Sequence, residues 1–235
     1  MRAVLFIVKV LFALCLPLFL ITSNLRWAIN SHQLYEYGFD SHQVATGTGL
    51  PESELQKVAV SLINYFNFER DTAQVMVMKE GENLELFTER EIIHLQDVRA
   101  LVRLDYFVQF LTLALIVVFG LTLVLGWKEA RWRRLIEGLL WGSALTLGLI
   151  IILALWSLLS FDQFFLLFHL IGFPNDYWLL DPSQHYLIRL FPQGFFYQAA
   201  LFIVGATLVE ALIIGGIAFG AQKSQCLRDR KCYNL

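Results

Sequence analysis

Apolar runs long enough to cross a membrane alternate along this chain with polar stretches. Four runs, residues 4–22, 107–126, 139–160 and 198–220, each approach the roughly 20 apolar residues that a bilayer-crossing helix needs. Lys9 lies close to the start of the first run, where its long side chain can reach the interface. That run reads as an uncleaved helix. No small-x-small cleavage site follows it, and LCLPLFLITSNLRW leads straight into polar sequence. A leucine immediately before Cys15 argues against lipid processing there.

The polar stretch 23–106 carries its own periodicities. After TGTGLPES, the residues Leu55, Val58, Ala59, Leu62 and Phe66 recur at helical spacing, which predicts a helix over Glu52–Asn67. VMVMKEGENLELF predicts two short strands around a glycine-containing turn. TERE is a capping box, with Thr88 and Glu91 opening a helix that carries EIIHLQDVRALVRLDY. If that helix ran straight into the second apolar run, His94 would stand about 18 Å above the entry near Tyr106. Arg99, Arg103 and Asp105 interrupt the apolar pattern, so a bend is expected, with Thr88–Leu101 as a separate amphipathic helix along the surface. The expected architecture is a single all-α membrane domain with four transmembrane helices. A small α+β subdomain, 23–106, is built of amphipathic helices and a β-hairpin, and a second loop covers 161–197.

Composition agrees: 57% of the 235 residues are hydrophobic and 16% charged, too apolar a balance for a soluble domain. The net charge of -2 gives no reason to expect nucleic acid as a partner. The distribution of charge says more. Arg2 and Lys9, then Lys128, Arg131, Arg133 and Arg134, then Lys223, Arg228, Arg230 and Lys231 all fall on one side of a four-span chain. The stretch 23–106 is acid-rich, and 161–197 holds only Arg189. By the positive-inside rule both termini are expected in the cytoplasm, with both larger loops outside it. Cys15, Cys226 and Cys232 then leave the outward face without a thiol nucleophile or a disulfide.

The five histidines, His32, His42, His94, His169 and His185, all fall on the outward side in this topology. Histidine titrates near neutrality and suits proton transfer in acyl chemistry. Glu91 and Asp97 sit three residues either side of His94, where a carboxylate can orient its ring. His169 follows QFFLLF at the apolar boundary, where a lipid ester would lie. Read alone, each is an interfacial histidine, and His32, His42 and His185 lie in plain polar loops. There is no H-E-x-x-H, no Cys/His cluster and no G-x-S-x-G elbow, so neither a metal site nor a serine hydrolase has motif support, and no cofactor is called for. Tyr177, Trp178, Phe195 and Phe196 fit an interfacial aromatic belt, and Asn175–Asp176 fits a turn. Glu210 lies mid-span, where an acid needs a partner or a function, and Gly216–Gly220 has the spacing of close helix packing.

Three stretches, TGTGLPESELQKVAVSLINYFNF, LFTEREIIHLQDV and FHLIGFPNDYWLLDPSQHYLIRLFPQGFF, together resemble a family of bacterial four-helix membrane proteins, the lipoprotein intramolecular transacylases (Lit). The patterns E-x-x-H-x-x-D-V and F-H-x-x-x-F-x-N-D-x-W carry the resemblance, in the same order over nearly the whole chain. It implies a diacylglyceryl-modified lipoprotein as substrate, in the bacterial cytoplasmic membrane among its lipids. The sn-2 acyl chain would move to the α-amino group of the N-terminal cysteine, leaving a lyso-form lipoprotein. His94 and His169 match the family's motif histidines as an acid/base pair. Glu91, Asp97, Asn175, Asp176 and Trp178 are the candidate positioning residues around them, and Asn175 or Trp178 the candidate oxyanion donor. An intramolecular transfer needs no protein nucleophile, in keeping with an outward face without cysteine. The competing reading is a non-catalytic membrane protein whose 23–106 subdomain docks a protein. The enzyme reading requires the two histidines to lie within about 10 Å of one another, bridged by substrate.

Overall fold

The computed structural model describes residues 2–125 and 131–233. Gly126, the end of the second apolar run, and Lys128 of the following basic loop lie outside the described residues, as do the side chains of Arg2, Arg131, Arg228, Arg230, Lys231 and Cys232. Among the described residues, four helices are long and apolar enough to cross a membrane: α1 (Arg2–Asn30), α5 (Glu89–Leu125), α6 (Arg131–Gly172) and α8 (Gln193–Tyr233). Between α1 and α5 lie the short helices α2 (His32–Ser41) and α3 (Val44–Thr48), then α4 (Glu52–Phe66) and a two-stranded antiparallel sheet, β1 (Met76–Lys79) and β2 (Glu82–Glu85). A short α7 (Tyr186–Leu190) precedes α8. The chain forms two compact units, one of Leu25–Asp105 with Trp156–Phe202, the other of the remaining stretches.

In the unit that holds the first 24 residues, Tyr106–Leu155 and the chain from Ile203 on, the four long helices share a core. Leu16 and Leu20 of α1 and Ala211 of α8 are buried, with Phe19, Ile116, Leu147 and Ile214 packed around them. Pro17 lies inside α1 and has no N–H to give to the Ala13 carbonyl. Gly142 of α6 comes up against that turn: a Cβ there would lie 2.8 Å from Leu16 and 3.4 Å from the Ala13 oxygen. Lys9 pairs with Glu137 at 3.1 Å, and Glu137 also accepts from Arg133. Glu210 accepts from the Asn24 amide at 2.7 Å, and the same amide reaches Thr207. Among the described residues Gly216 and Gly220 make no close helix contact, because a Cβ at either would meet nothing within 4 Å. The close approach is instead at Gly215, where a Cβ would lie 3.2 Å from that of Ser143.

The other unit carries the polar sequence. Ser31 caps α2 by accepting from the Leu34 N–H. In α4 the five residues at helical spacing, Leu55, Val58, Ala59, Leu62 and Phe66, are all buried. The hairpin pairs Met76 with Glu85 and Lys79 with Glu82, and Glu80 and Gly81 form its two-residue turn, both at positive φ. That turn matches the twist of the strands. Lys79 donates to the Thr48 carbonyl and to the Tyr186 hydroxyl, tying the hairpin to α3 and α7. Tyr35, Phe39, Phe191 and Phe195 form an edge-on aromatic cluster. Gly38 admits it, since a Cβ at that position would fall 2.2 Å from the Phe195 ring.

Two expectations need correction. No bend separates Thr88–Leu101 from the second apolar run, because α5 is continuous from Glu89 to Leu125. Two of the residues that interrupt the pattern, Arg99 and Arg103, find aromatic partners without breaking the backbone, while Asp105 Oδ2 is buried without a hydrogen-bond partner among the described residues. The Arg99 guanidinium lies 4.4 Å from the Tyr65 and Phe68 ring centres and donates to the Arg70 carbonyl. The stretch 161–197 is also not simply a loop. It opens with the last turns of α6, after a kink at Ser160, and these carry His169.

Candidate active site

Residues 88–91 close the start of α5 and so set where His94 points. The Glu91 carboxylate accepts from the Thr88 N–H and the Thr88 hydroxyl, both at 2.7 Å, as its capping-box position predicts. Its other oxygen accepts from the Leu187 N–H at 2.6 Å, across to the first turn of α7. Glu91 is fully buried. A carboxylate is tolerated there because each oxygen is met by donors. It is therefore occupied as a clamp between α5 and α7 and makes no described hydrogen bond to His94.

One turn later along α5, His94 meets His169 of α6. The ring centroids are 6.1 Å apart and the planes 27° from parallel. Phe173 stands edge-on to His94 at 4.9 Å, Phe165 packs on His169 at 4.4 Å, and Trp178 covers His169 at 5.0 Å. Both imidazoles are only 8% exposed. They belong to the helix ends beyond the apolar runs 107–126 and 139–160, on the continuous and kinked extensions described above.

The ring nitrogens are not equivalent. His169 Nδ1 lies 2.8 Å from the Phe165 carbonyl oxygen, which can only accept. Nδ1 therefore carries the hydrogen, and Nε2 is left with its lone pair. His94 Nδ1 is buried with no hydrogen-bond partner. Burial, and then repulsion from His169, holds the His94 pKa down to about 4, against a smaller opposing pull from Asp97. Burial also lowers that of His169, offset in part by the Phe165 carbonyl. Near neutral pH the pair is two uncharged imidazoles. A base must start uncharged, and a proton placed on either ring is readily surrendered.

The remaining candidates hold the loop 174–180 against α5. Asn175 donates to Asp97 at 2.8 Å, and its side-chain oxygen accepts from the Tyr177 N–H. Arg90 donates to the Asp176 and Leu179 carbonyls. Asp176 thus contributes through its backbone. The Trp178 ring is in the cage, with its indole N–H in no described hydrogen bond. Sequence reasoning did not single out Phe165 or Arg90, and it marked Phe173 only as a position of the F-H-x-x-x-F-x-N-D-x-W pattern. Phe165 and Phe173 stand four residues either side of His169, a helical spacing that marks one face. Arg90 had no such signal. His185 is held in its own turn with Asp181, and His42 packs against Gly194, so neither joins the pair.

The family model of lipoprotein intramolecular transacylase Lit matches residues 10–196. An uncharacterised protein of Aquifex aeolicus (strain VF5) is 25% identical over 137 residues, 58% of this chain, and the chain spans 57% of that relative's length. The fold is that of the membrane-integral lipoprotein intramolecular transacylase Lit from Bacillus cereus, with a TM-score of 0.82 over 97% of this chain and 100% of the other, at 21% identity. A histidine-to-arginine variant of the same protein superposes with a TM-score of 0.76 over 97% and 96% of the two chains, also at 21% identity. With the match covering most of its length, and with four membrane-crossing helices of the same architecture, the chain is a multi-pass membrane protein that belongs to the lipoprotein intramolecular transacylase (Lit) family.

Proposed function

We propose that this protein moves the sn-2 acyl chain of a diacylglyceryl-modified lipoprotein to the α-amino group of the same lipoprotein's N-terminal cysteine, using His94 and His169 to transfer the proton. The observation that carries this reading is the pair of caged, uncharged imidazoles 6.1 Å apart, one with Nδ1 tied to a carbonyl. The substrate amine, with an ordinary pKa near ~8, sheds a proton as its nitrogen attacks the ester carbonyl. The C–N bond forms, the bond between the carbonyl carbon and the glyceryl oxygen breaks, and that oxygen gains a proton. The proton lost by the amine balances the one gained by the oxygen, so the pair only relays it across the tetrahedral intermediate.

His169 is the better acceptor. Its Nε2 carries the lone pair, and both the Phe165 carbonyl and the C-terminal end of α6 favour the imidazolium that forms. His94, the weaker base, gives its ring N–H proton to the leaving oxygen and is re-protonated by the one that His169 took from the amine, so both rings end uncharged. Trp178 supplies the oxyanion donor, because its indole N–H makes no hydrogen bond among the described residues, whereas one N–H of the Asn175 amide is tied to Asp97 and fixes that group toward the carboxylate. Glu91, Asp97, Asn175 and Asp176 position the cage. Both reactants belong to one substrate molecule, so holding it folded back supplies much of the acceleration.

Charge placement supports an orientation with both termini in the cytoplasm and the histidine pair on the outer side of the cytoplasmic membrane. In that arrangement the spans are 4–22, 107–126, 139–160 and 198–220, with 23–106 and 161–197 outside, in one membrane domain. The test is expression in bacteria that cannot N-acylate their lipoproteins, with mass spectrometry of a lipoprotein N-terminus. Lyso-form product is expected with the wild type, falling at least a hundredfold in His94→Ala and His169→Ala. No product from a well-expressed wild type overturns the reaction, and undiminished product from the variants overturns the site.

A further inference from the structure

A groove of about 460 Å³ lies on a different face of α5, lined by Phe68, Asp71, Gln96, Arg99, Ala100 and Arg103. Arg99 and Arg103 follow His94 by five and nine residues, roughly 140° and 180° around the helix from it, so the groove does not share the histidine face. The two arginines stand at i and i+4, where like charges repel. Neither has an ion-pair partner among the described residues, and the aromatic contacts hold them in place nonetheless. The guanidinium carbons lie 4.4 and 4.9 Å from the centre of the same Phe68 ring. Arg99 Nε is buried without a hydrogen-bond partner, and Nη2 is oriented by the Arg70 carbonyl. Two ordered, un-neutralised guanidiniums side by side are the arrangement that grips a phosphate.

The neighbouring sequence identifies the form that phosphate takes. Arg103 stands one turn ahead of Phe107, where the apolar run of α5 starts, and Leu104 between them is exposed. A helix leaves the hydrocarbon at such a boundary, at the level of lipid headgroups. Asp71 and Gln96 on the rim are hydrogen-bond acceptors, suited to hydroxyls. We propose that this groove binds the headgroup of an anionic phospholipid with a hydroxylated headgroup, of the phosphatidylglycerol type. Its phosphate would lie between Arg99 and Arg103, and its glycerol hydroxyls against Asp71 and Gln96. This site does not depend on the acyl-transfer reading, and its test does not measure activity.

The full chain is purified in a neutral detergent. Its unfolding midpoint is then followed as phosphatidylglycerol, phosphatidylcholine or inorganic phosphate is added. Phosphatidylglycerol should raise the midpoint, with half-saturation shifted at least fivefold upward in Arg103→Gln, an exposed position whose loss leaves the Arg99 stack intact. Arg99→Lys, which keeps the charge but loses the planar fork, should shift it in the same direction. Lys57→Gln, at an exposed lysine of α4 paired with Glu54, should leave it unchanged. The proposal is overturned if Arg103→Gln responds like the wild type, if Lys57→Gln weakens the response equally, or if phosphatidylcholine or inorganic phosphate raises the midpoint as much.

Discussion

The imidazoles of His94 and His169 lie nearly parallel, 6.1 Å between centroids, although 75 positions separate them in the chain. Burial lowers the readiness of both rings to take a proton, and His169 lowers that of His94 further. This has a consequence for stability. The folded chain protonates His94 only near pH 4, whereas an unfolded chain does so near 6.5. Between those values the unfolded state holds the extra proton, so acid favours unfolding. The His94 contribution is complete above pH 6.5 and lost by about pH 4, amounting to about 3 kcal/mol, with His169 adding in the same direction. Thermal unfolding from pH 7.5 to 4 should therefore fall less steeply in His94→Gln than in the wild type. Parallel curves would count against the uncharged pair.

Glu91 joins the start of α5 to α7 through the Thr88 and Leu187 donors. Glu91→Ala leaves two backbone N–H groups unmet, at a cost of about 2–4 kcal/mol. Glu91→Gln, which retains one acceptor for Leu187, should lose less. Denaturant unfolding of the three proteins ranks them. A Glu91→Ala midpoint equal to that of the wild type would show the clamp to be idle.

Trp178 lies over His169, and its indole N–H makes no hydrogen bond among the described residues. Trp178→Phe keeps a ring in the cage but removes the donor. The expected result is a fall in kcat of about a hundredfold with KM little changed, since an oxyanion forms only during reaction. Equal losses in kcat and KM, or none, would assign the ring to packing alone.

Asn24 and Glu210 meet at 2.7 Å in the helix bundle. Asn24→Leu strands the acid among apolar helices and should lower stability by about 1–3 kcal/mol. Replacing both, Asn24→Leu with Glu210→Leu, should recover most of that loss, as removing both partners costs less than removing one. A double variant no more stable than Asn24→Leu would refute the pairing.

Much of this architecture was legible in the sequence. The five buried residues of α4, the Thr88–Glu91 box and the Glu80–Gly81 turn are local patterns, set within a few residues by spacing, capping and positive φ. The continuity of α5 was not legible. Arg99 and Arg103 look like interruptions until Tyr65 and Phe68 are folded against them. The second contact of Glu91, beyond its capping box, was missed for the same reason. Its neighbour at i+3 is His94, but the donor that occupies its second oxygen is Leu187, far along the chain.

The sequence by itself determined four membrane-length helices, an intervening polar unit with a hairpin, and the family resemblance that singled out His94 and His169. Hydrophobic run length and local backbone preference act over short stretches, so they can be read from one strand of text. Only the tertiary structure decided that the two rings share a cage, that Nδ1 of His169 is committed to a carbonyl, and that both imidazoles are uncharged. Protonation in a folded protein depends on burial and on charges brought close by other segments, and neither exists until the chain has packed.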